Sequence, residues 1–119
     1  MKRLLVFLIM VFPALAATPN CKGNPQVVGA CYAVHGRVRL GADTVRIWLW
    51  PVGTKRYLGV TGGPILDDAV DPITPRNLRF PHGDETIYGD FVVCPFTPEQ
   101  EGHMRLVCIE SATHLVTKR

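Results

Sequence analysis

Five segments rich in β-branched and aromatic residues limit what this chain can fold into, because their side chains alternate with the period of two that strands have. The segments are 31–40, 45–50, 55–60, 85–96 and 103–116. Between the third and the fourth, a connector of residues 61–83 contains four prolines, which break any long regular element. The sequence therefore predicts three strands, a connector and two further strands.

The connector is expected to form two short helical turns. Pro64 suits the first position of a helix that would end at Pro72, and Thr74 would begin the second turn. The aspartates in this segment lack the glycine and glutamate positions of a calcium-binding loop, so we interpret them as a solvated helix face.

The order of elements resembles the OB fold, a five-stranded Greek-key barrel in which a helix commonly lies between the third and fourth strands. We expect a mostly β protein, namely a small five-stranded OB-fold-like barrel with a short helical connector. The alternative is a transthyretin-like or immunoglobulin-like β-sandwich, which needs about seven strands. That alternative is disfavoured because the segments supply fewer.

Residues 1–17 have the parts of a secretory signal peptide. Lys2 and Arg3 form a positive start, an apolar run follows at 4–12, and a small-x-small site precedes Ala17. The apolar run is shorter than the ~20 residues that span a bilayer, so we expect no membrane anchor after cleavage. The mature chain would be a single disulfide-stapled β domain, residues 18–119, in the periplasm or secreted.

Charge argues against general nucleic-acid binding. The sequence has 13 basic and 10 acidic residues, for a net charge of +3. Lys2 and Arg3 leave with the signal peptide, so the mature chain has a net charge of about +1. Nucleic-acid binding without sequence preference depends on many cations that neutralise phosphates.

The four cysteines predict two disulfides, because an exported chain of this size folds in an oxidising compartment and benefits from covalent links. Their pairing stays open among three connectivities. Their spacing matches no zinc-binding pattern, and we expect no metal. The residues are Cys21, Cys31, Cys94 and Cys108.

Segment 45–60 reads VRIWLWPVGTKRYLGV and predicts a hairpin. A loop centred on residues 52–53 places Ile47 opposite Leu58 and Trp48 opposite Tyr57, so that the aliphatic row of both strands faces the core. The other face, which we call the hairpin face, then carries cationic and aromatic side chains: Arg46, Trp48, Trp50, Lys55 and Tyr57.

The hairpin face is the candidate ligand site. Aromatic rings stack on bases and sugars, and arginine and lysine pair with phosphate, sulfate or carboxylate groups. OB-folds usually bind their ligands on strands two and three. The competing interpretation is a small second core beneath the connector, with Trp48 covering Gly59. Exposure of Trp48 and Trp50 above about a third would favour a ligand face, and burial would favour binding through a loop.

The sequence contains no catalytic motif, so we do not expect an enzyme. Ser111, the single serine after the signal peptide, has no nucleophile motif around it. The four histidines lie in four separate segments, and we interpret Asp84 and Glu85 as ordinary polar residues of a loop. We expect no cofactor and no catalytic residues.

The function that these observations favour is an exported, non-enzymatic binding or accessory domain, with an anionic ligand, a glycan or another exported protein as its partner. The alternative is a small inhibitor or partner-binding protein that uses the exposed loop Thr97–Gly102. An enzyme of unknown class is the third possibility.

The motifs VHGRVRL, VRIW, GTKRYLGV, YGDFVVCP and RLVCIESA together resemble a group of short bacterial proteins that carry signal peptides. The resemblance covers most of the mature chain and implies a single exported bacterial domain. It brings no catalytic or binding residues to transfer.

Overall fold

The computed structural model describes residues 21–41, 45–67 and 69–119. The predicted signal peptide and its cleavage site lie outside the described residues. Five strands form, close to the five predicted segments. They are β1 (Tyr32–Leu40), β2 (Ile47–Pro51), β3 (Leu58–Val60), β4 (Thr86–Pro95) and β5 (Arg105–Lys118).

The strands form one closed barrel in the order β1-β2-β3-β5-β4, and β1 closes it by pairing with both β2 and β4. All pairs are antiparallel except β3 with β5, which are parallel. This is a small five-stranded OB-fold-like barrel, as predicted. A sandwich is excluded because the strands form a single closed sheet rather than two facing ones.

The aliphatic rows fill the barrel as the alternation predicted. Ile47 and Leu49 of β2 point inward with Val38 of β1 and Phe91 of β4, and each is at most 1% exposed. Burial of such side chains is the main stabilising contribution to a domain of this size. Leu40 is an exception, since it lies at the end of β1 and is exposed.

The pairing of β2 with β3 differs from the predicted register by two residues. Ile47 lies opposite Val60 and Trp48 opposite Gly59. The cause is the loop, because both the amide and the hydroxyl of Thr54 donate to the carbonyl of Pro51, at 3.2 and 2.9 Å, and three more residues follow before β3 begins. A shift of two keeps every side chain on its predicted face.

The predicted helical turn after Pro64 is wrong, because the described part of the connector contains turns and no helix. Asp67 Oδ1 accepts a hydrogen bond from the amide of Ala69 at 2.9 Å, and such local bonds compete with helix formation. A second turn, in which the amide of Leu78 donates to the carbonyl of Pro75 at 3.1 Å, places Leu78 in the barrel core. The described residues also contain no helix long and apolar enough to cross a membrane.

Two disulfides form, Cys21–Cys108 and Cys31–Cys94, so the predicted number is confirmed and the pairing is now defined. They attach residues 21–31, which we call the N-terminal arm, to the outer surface of β4 and β5. Beneath the arm lies a second buried cluster that includes Phe96 and Leu106. Disulfides of this kind form in an oxidising compartment.

Glu85 is a buried ion-pair partner, which corrects its interpretation as an ordinary polar residue of a loop. Its carboxylate accepts two hydrogen bonds from the Arg79 guanidinium, at 2.8 and 3.0 Å, and one from the amide of His82 at 3.0 Å. Arg119 lies 3.6 Å away. The Arg79 hydrogen bonds, helped by the His82 amide, lower the pKa of Glu85 to about 2. This contact fixes the chain directly before β4.

Candidate functional site

Three aromatic side chains of the hairpin face form one cluster on the outer surface of the barrel. Trp48 and Trp50 project from the same side of β2, and Tyr57 in the following loop lies between them. The ring centroid of Tyr57 is 4.8 Å from that of Trp48 and 5.1 Å from that of Trp50, and both pairs are tilted by 48°. Tilted contacts at these distances are favourable between aromatic rings.

All three side chains of the cluster are partly buried. Trp48 and Trp50 are therefore neither exposed by more than about a third, as a ligand face would require, nor buried, as binding through a loop would require. The indole nitrogen of Trp50 donates to the carbonyl of Thr54 at 2.5 Å. The indole of Trp48 packs against Gly41, where a Cβ would lie 2.9 Å from the indole nitrogen. Each tryptophan therefore contributes to local structure and also presents part of its ring to solvent.

The two cations of the hairpin face do not join the cluster. Arg46 forms an ion pair with Asp71 of the connector. Lys55 is exposed in the loop, three residues before β3, and so does not lie opposite Trp50 as predicted. The structure thus brings together the aromatic residues of the prediction but not its cations.

Arginines of β1, rather than the predicted Arg46 and Lys55, lie next to the cluster. Arg37 lies opposite Trp50 in the β1–β2 register, and its guanidinium carbon is 3.7 Å from the Trp50 ring centroid. Arg39 lies opposite Trp48. Neither arginine was predicted as a site residue, although both alternate with the buried Val34 and Val38 and so had to point outward.

The same surface continues onto β4 and β5. Tyr88 lies opposite Arg37, and Thr86 lies between Arg39 and Lys118 in the register. The ammonium of Lys118 is 5.6 Å from the Tyr88 ring centroid. We call this surface the aromatic–cationic face, and its residues are Arg37, Arg39, Trp48, Trp50, Tyr57, Tyr88 and Lys118.

Most other arginines among the described residues pair with a carboxylate, whereas the cations of this face do not. Arg56 and Arg105 pair with Glu99, and Arg79 pairs with Glu85. Within residues 21–41, 45–67 and 69–119, no carboxylate lies within 4 Å of the charged groups of Arg37, Arg39 or Lys118. Cations beside aromatic rings that have no carboxylate partner among the described residues suit an anionic group on a ligand.

Beside this face, Asp90 holds two histidines that are far apart in sequence. Its Oδ1 is 2.7 Å from Nδ1 of His35, and its Oδ2 is 2.9 Å from Nδ1 of His114. The hydrogen bond from His35 lowers the pKa of Asp90, and the one from His114 acts in the same direction. Because an ionised carboxylate only accepts, both imidazoles carry a proton on Nδ1.

A β-bulge brings His114 to Asp90. The register shifts between Tyr88 and Asp90, and β5 has one more residue than β4 across that interval. His114 has a φ of 56°, in the left-handed region that non-glycine residues seldom adopt. A Cβ on the facing Gly89 would lie 3.0 Å from the carbonyl of Thr113, so glycine allows this close approach. Bulges commonly redirect a side chain in this way.

The loop Thr97–Gly102 is fixed by arginines from neighbouring segments. Arg56 contacts Glu99 at 2.5 Å and donates to the carbonyls of Gln100 and His103, both at 3.3 Å. Arg105 donates to the carbonyl of Thr97 at 3.0 Å. A cavity of about 310 Å³ lies beside the loop, and Val45, Leu66, Met104 and Leu106 are among the residues that line it. The loop is therefore held in one shape.

Comparison with protein families, curated proteins and solved structures finds no match for this chain. The chemistry available on the aromatic–cationic face is contact with the exposed part of the aromatic rings, hydrogen bonding and charge pairing.

Proposed function

We propose that the chain is an exported, non-enzymatic binding domain that holds an anionic ligand or a glycan on the aromatic–cationic face. The observation that supports this most is the Arg37 guanidinium, held 3.7 Å over the Trp50 ring beside the Trp48–Tyr57 pair. Such an arrangement offers aromatic surface to the apolar side of a sugar and a fixed cation to its acidic group.

The proposed location is the periplasm, reached through the signal peptide of residues 1–17. The two disulfides support an oxidising compartment. We also propose that the chain belongs with the short exported bacterial proteins that its motifs resemble.

Intrinsic fluorescence tests the proposed site directly, because Trp48 and Trp50 are the two tryptophans of the sequence. The mature protein would be titrated with a heparin-derived tetrasaccharide and with maltotetraose as the uncharged counterpart. We expect the acidic sugar to change the emission at low salt, and the change to weaken as salt screens the charges.

Arg37→Gln should weaken that binding, and the matched control is Arg76→Gln, which removes one exposed cation from the connector. If neither sugar changes the emission or gives heat in calorimetry, the proposed function is wrong. Binding of maltotetraose that is unaffected by Arg37→Gln would restrict the proposal to a neutral glycan.

The second candidate function is partner binding through the loop Thr97–Gly102. It is favoured by the arginine contacts that fix this loop and by the adjacent cavity, which suits an apolar anchor side chain. Capture of an exported protein that is lost with Met104→Asp and retained with Arg37→Gln would favour this candidate. Met104 is exposed, so its substitution should leave the fold intact.

A further inference from the structure

The aromatic–cationic face is ordered into two parallel rows that cross the strands. In the first row Trp50, Arg37 and Tyr88 are neighbours on β2, β1 and β4. In the second row Trp48 and Arg39 lie on β2 and β1, and the row passes Thr86 to end at Lys118. Each row therefore runs perpendicular to the strands and alternates aromatic or polar residues with cations.

The dimensions of these rows exceed those of a single small anion. Neighbouring strands are about 4.8 Å apart, so the path from Trp48 on β2 to Lys118 on β5 is roughly 14 Å long. Arg37 and Arg39 are separated by about 6.7 Å along β1. A ligand that contacts both Trp48 and Lys118 has to be about this long, and pairing with both Arg39 and Lys118 requires more than one negative charge.

The described residues around the rows leave the positive charge of the rows in place. Asp90, the carboxylate on the same side of β4, is occupied by His35 and His114. Arg37 is half-buried against Trp50, whereas Arg39 and Lys118 are exposed. The face therefore combines one cation that is fixed by stacking with two that are free to adjust to a ligand.

From these observations we propose that the aromatic–cationic face binds a linear acidic polysaccharide, which runs across the strands from β2 over β1 and β4 to β5. This inference rests on the proposed function and extends it, because it specifies an oligomeric ligand and the direction in which that ligand crosses the strands. We call this path the track. The aromatic cluster lies at its β2 end, and Lys118 lies at its β5 end.

The geometry disfavours a single-stranded nucleic acid on the same track. Base recognition of that kind uses exposed ring faces as stacking platforms. Here the guanidinium of Arg37 covers a face of Trp50, and Tyr57 fills the space between the two tryptophans. The cation beside the remaining aromatic surface suits a sugar ring with an acidic substituent.

Dependence on ligand length tests the track. Calorimetric titrations of the mature protein would compare a heparin-derived disaccharide, which is shorter than the track, with the decasaccharide. The wild type should bind the decasaccharide about tenfold more tightly, because only the longer chain reaches from the aromatic cluster to Lys118. The double variant Arg39→Gln/Lys118→Gln should lose most of that advantage, so that it binds the two sugars with similar affinities.

The matched control is Lys22→Gln/Arg76→Gln, which removes two exposed cations that lie outside the track. The control should retain the advantage of the decasaccharide. The inference is overturned if the wild type shows no length dependence, if the control loses as much as the track variant, or if oligothymidylate of equal charge binds more tightly than the decasaccharide.

The outcomes separate this inference from the function on which it rests. Tetrasaccharide binding that depends on Arg37, without any effect of length, overturns the track and leaves the proposed function standing. If neither heparin-derived sugar binds, the track is wrong, and the maltotetraose titration decides the proposed function.

Discussion

On one side of the barrel, the outward side chains of β4, β5 and the loop between them include Cys94, Phe96, Leu106 and Cys108, and they are buried beneath the N-terminal arm. On the other side, the outward side chains of β1 and β2 include arginines and tryptophans that stay partly or fully exposed. The barrel core behind both surfaces is similar. The comparison shows that the outer surface of the barrel is apolar where the N-terminal arm covers it. It carries aromatic residues and cations where a ligand is proposed to bind.

The largest expected effect lies on the covered side. Phe96 is 1% exposed in the cluster under the arm, so Phe96→Ala should lower the free energy of unfolding by about 3–5 kcal/mol through lost burial and a cavity. Urea denaturation measures this loss. A loss below about 1 kcal/mol would mean that the arm does not seal a true second core.

The disulfides that hold the arm should come next. Cys21→Ser removes the Cys21–Cys108 link, and loss of a native disulfide in a small domain usually costs ~2–5 kcal/mol. The intact exported protein should also be about 4 Da lighter than its reduced form, since each disulfide removes two hydrogens. Free thiols in carefully isolated protein would contradict the assignment.

Trp50→Ala should have a smaller effect on stability and a larger one on binding. Because the ring is only partly buried, we expect a loss of about 1–2 kcal/mol in the free energy of unfolding. Binding of the acidic tetrasaccharide should fall sharply in the same variant. If Trp50→Ala costs as much stability as Phe96→Ala, the two sides of the barrel are alike and the comparison fails.

The acid sensitivity of the barrel gives the smallest effect. The pKa of Glu85 falls from the ordinary 4.5 to about 2 in the folded protein, so the folded state favours the ionised carboxylate. Its stabilising contribution is complete above about pH 4.5 and declines as the pH falls towards 2. Glu85→Gln should flatten the dependence of stability on pH in this window, as urea midpoints would show. An unchanged slope would contradict the role given to the Arg79 contact.

The sequence predicted the strands, their order and the inward aliphatic rows, because alternation is a local signal that each segment carries by itself. It did not predict the register of β2 with β3, since the bonds of Thr54 to Pro51 decide the loop length. It also left the cysteine pairing open. Cys94 and Cys108 face each other across β4 and β5, yet each bonds to the arm.

The candidate site was predicted in part for a similar reason. The aromatic cluster follows from one hairpin, whereas the neighbourhood of Arg37 with Trp50 and Tyr88 requires the pairing of β1 with both β2 and β4. The contact of His114 with Asp90 depends on a bulge, which no local pattern in HMRLVCIESATHLV indicates. Contacts between strands that are distant in sequence could therefore not be predicted from local patterns.

The central claim, that the aromatic–cationic face binds the ligand, is tested most directly by chemical-shift mapping of the ¹⁵N-labelled mature protein with the heparin-derived decasaccharide. We predict shifts of the Trp48 and Trp50 indole signals and of the amides of Arg37, Arg39 and Tyr88, while those of Phe96 and Cys108 stay constant. Shifts confined to the loop Thr97–Gly102, or to the surface under the arm, would contradict the account.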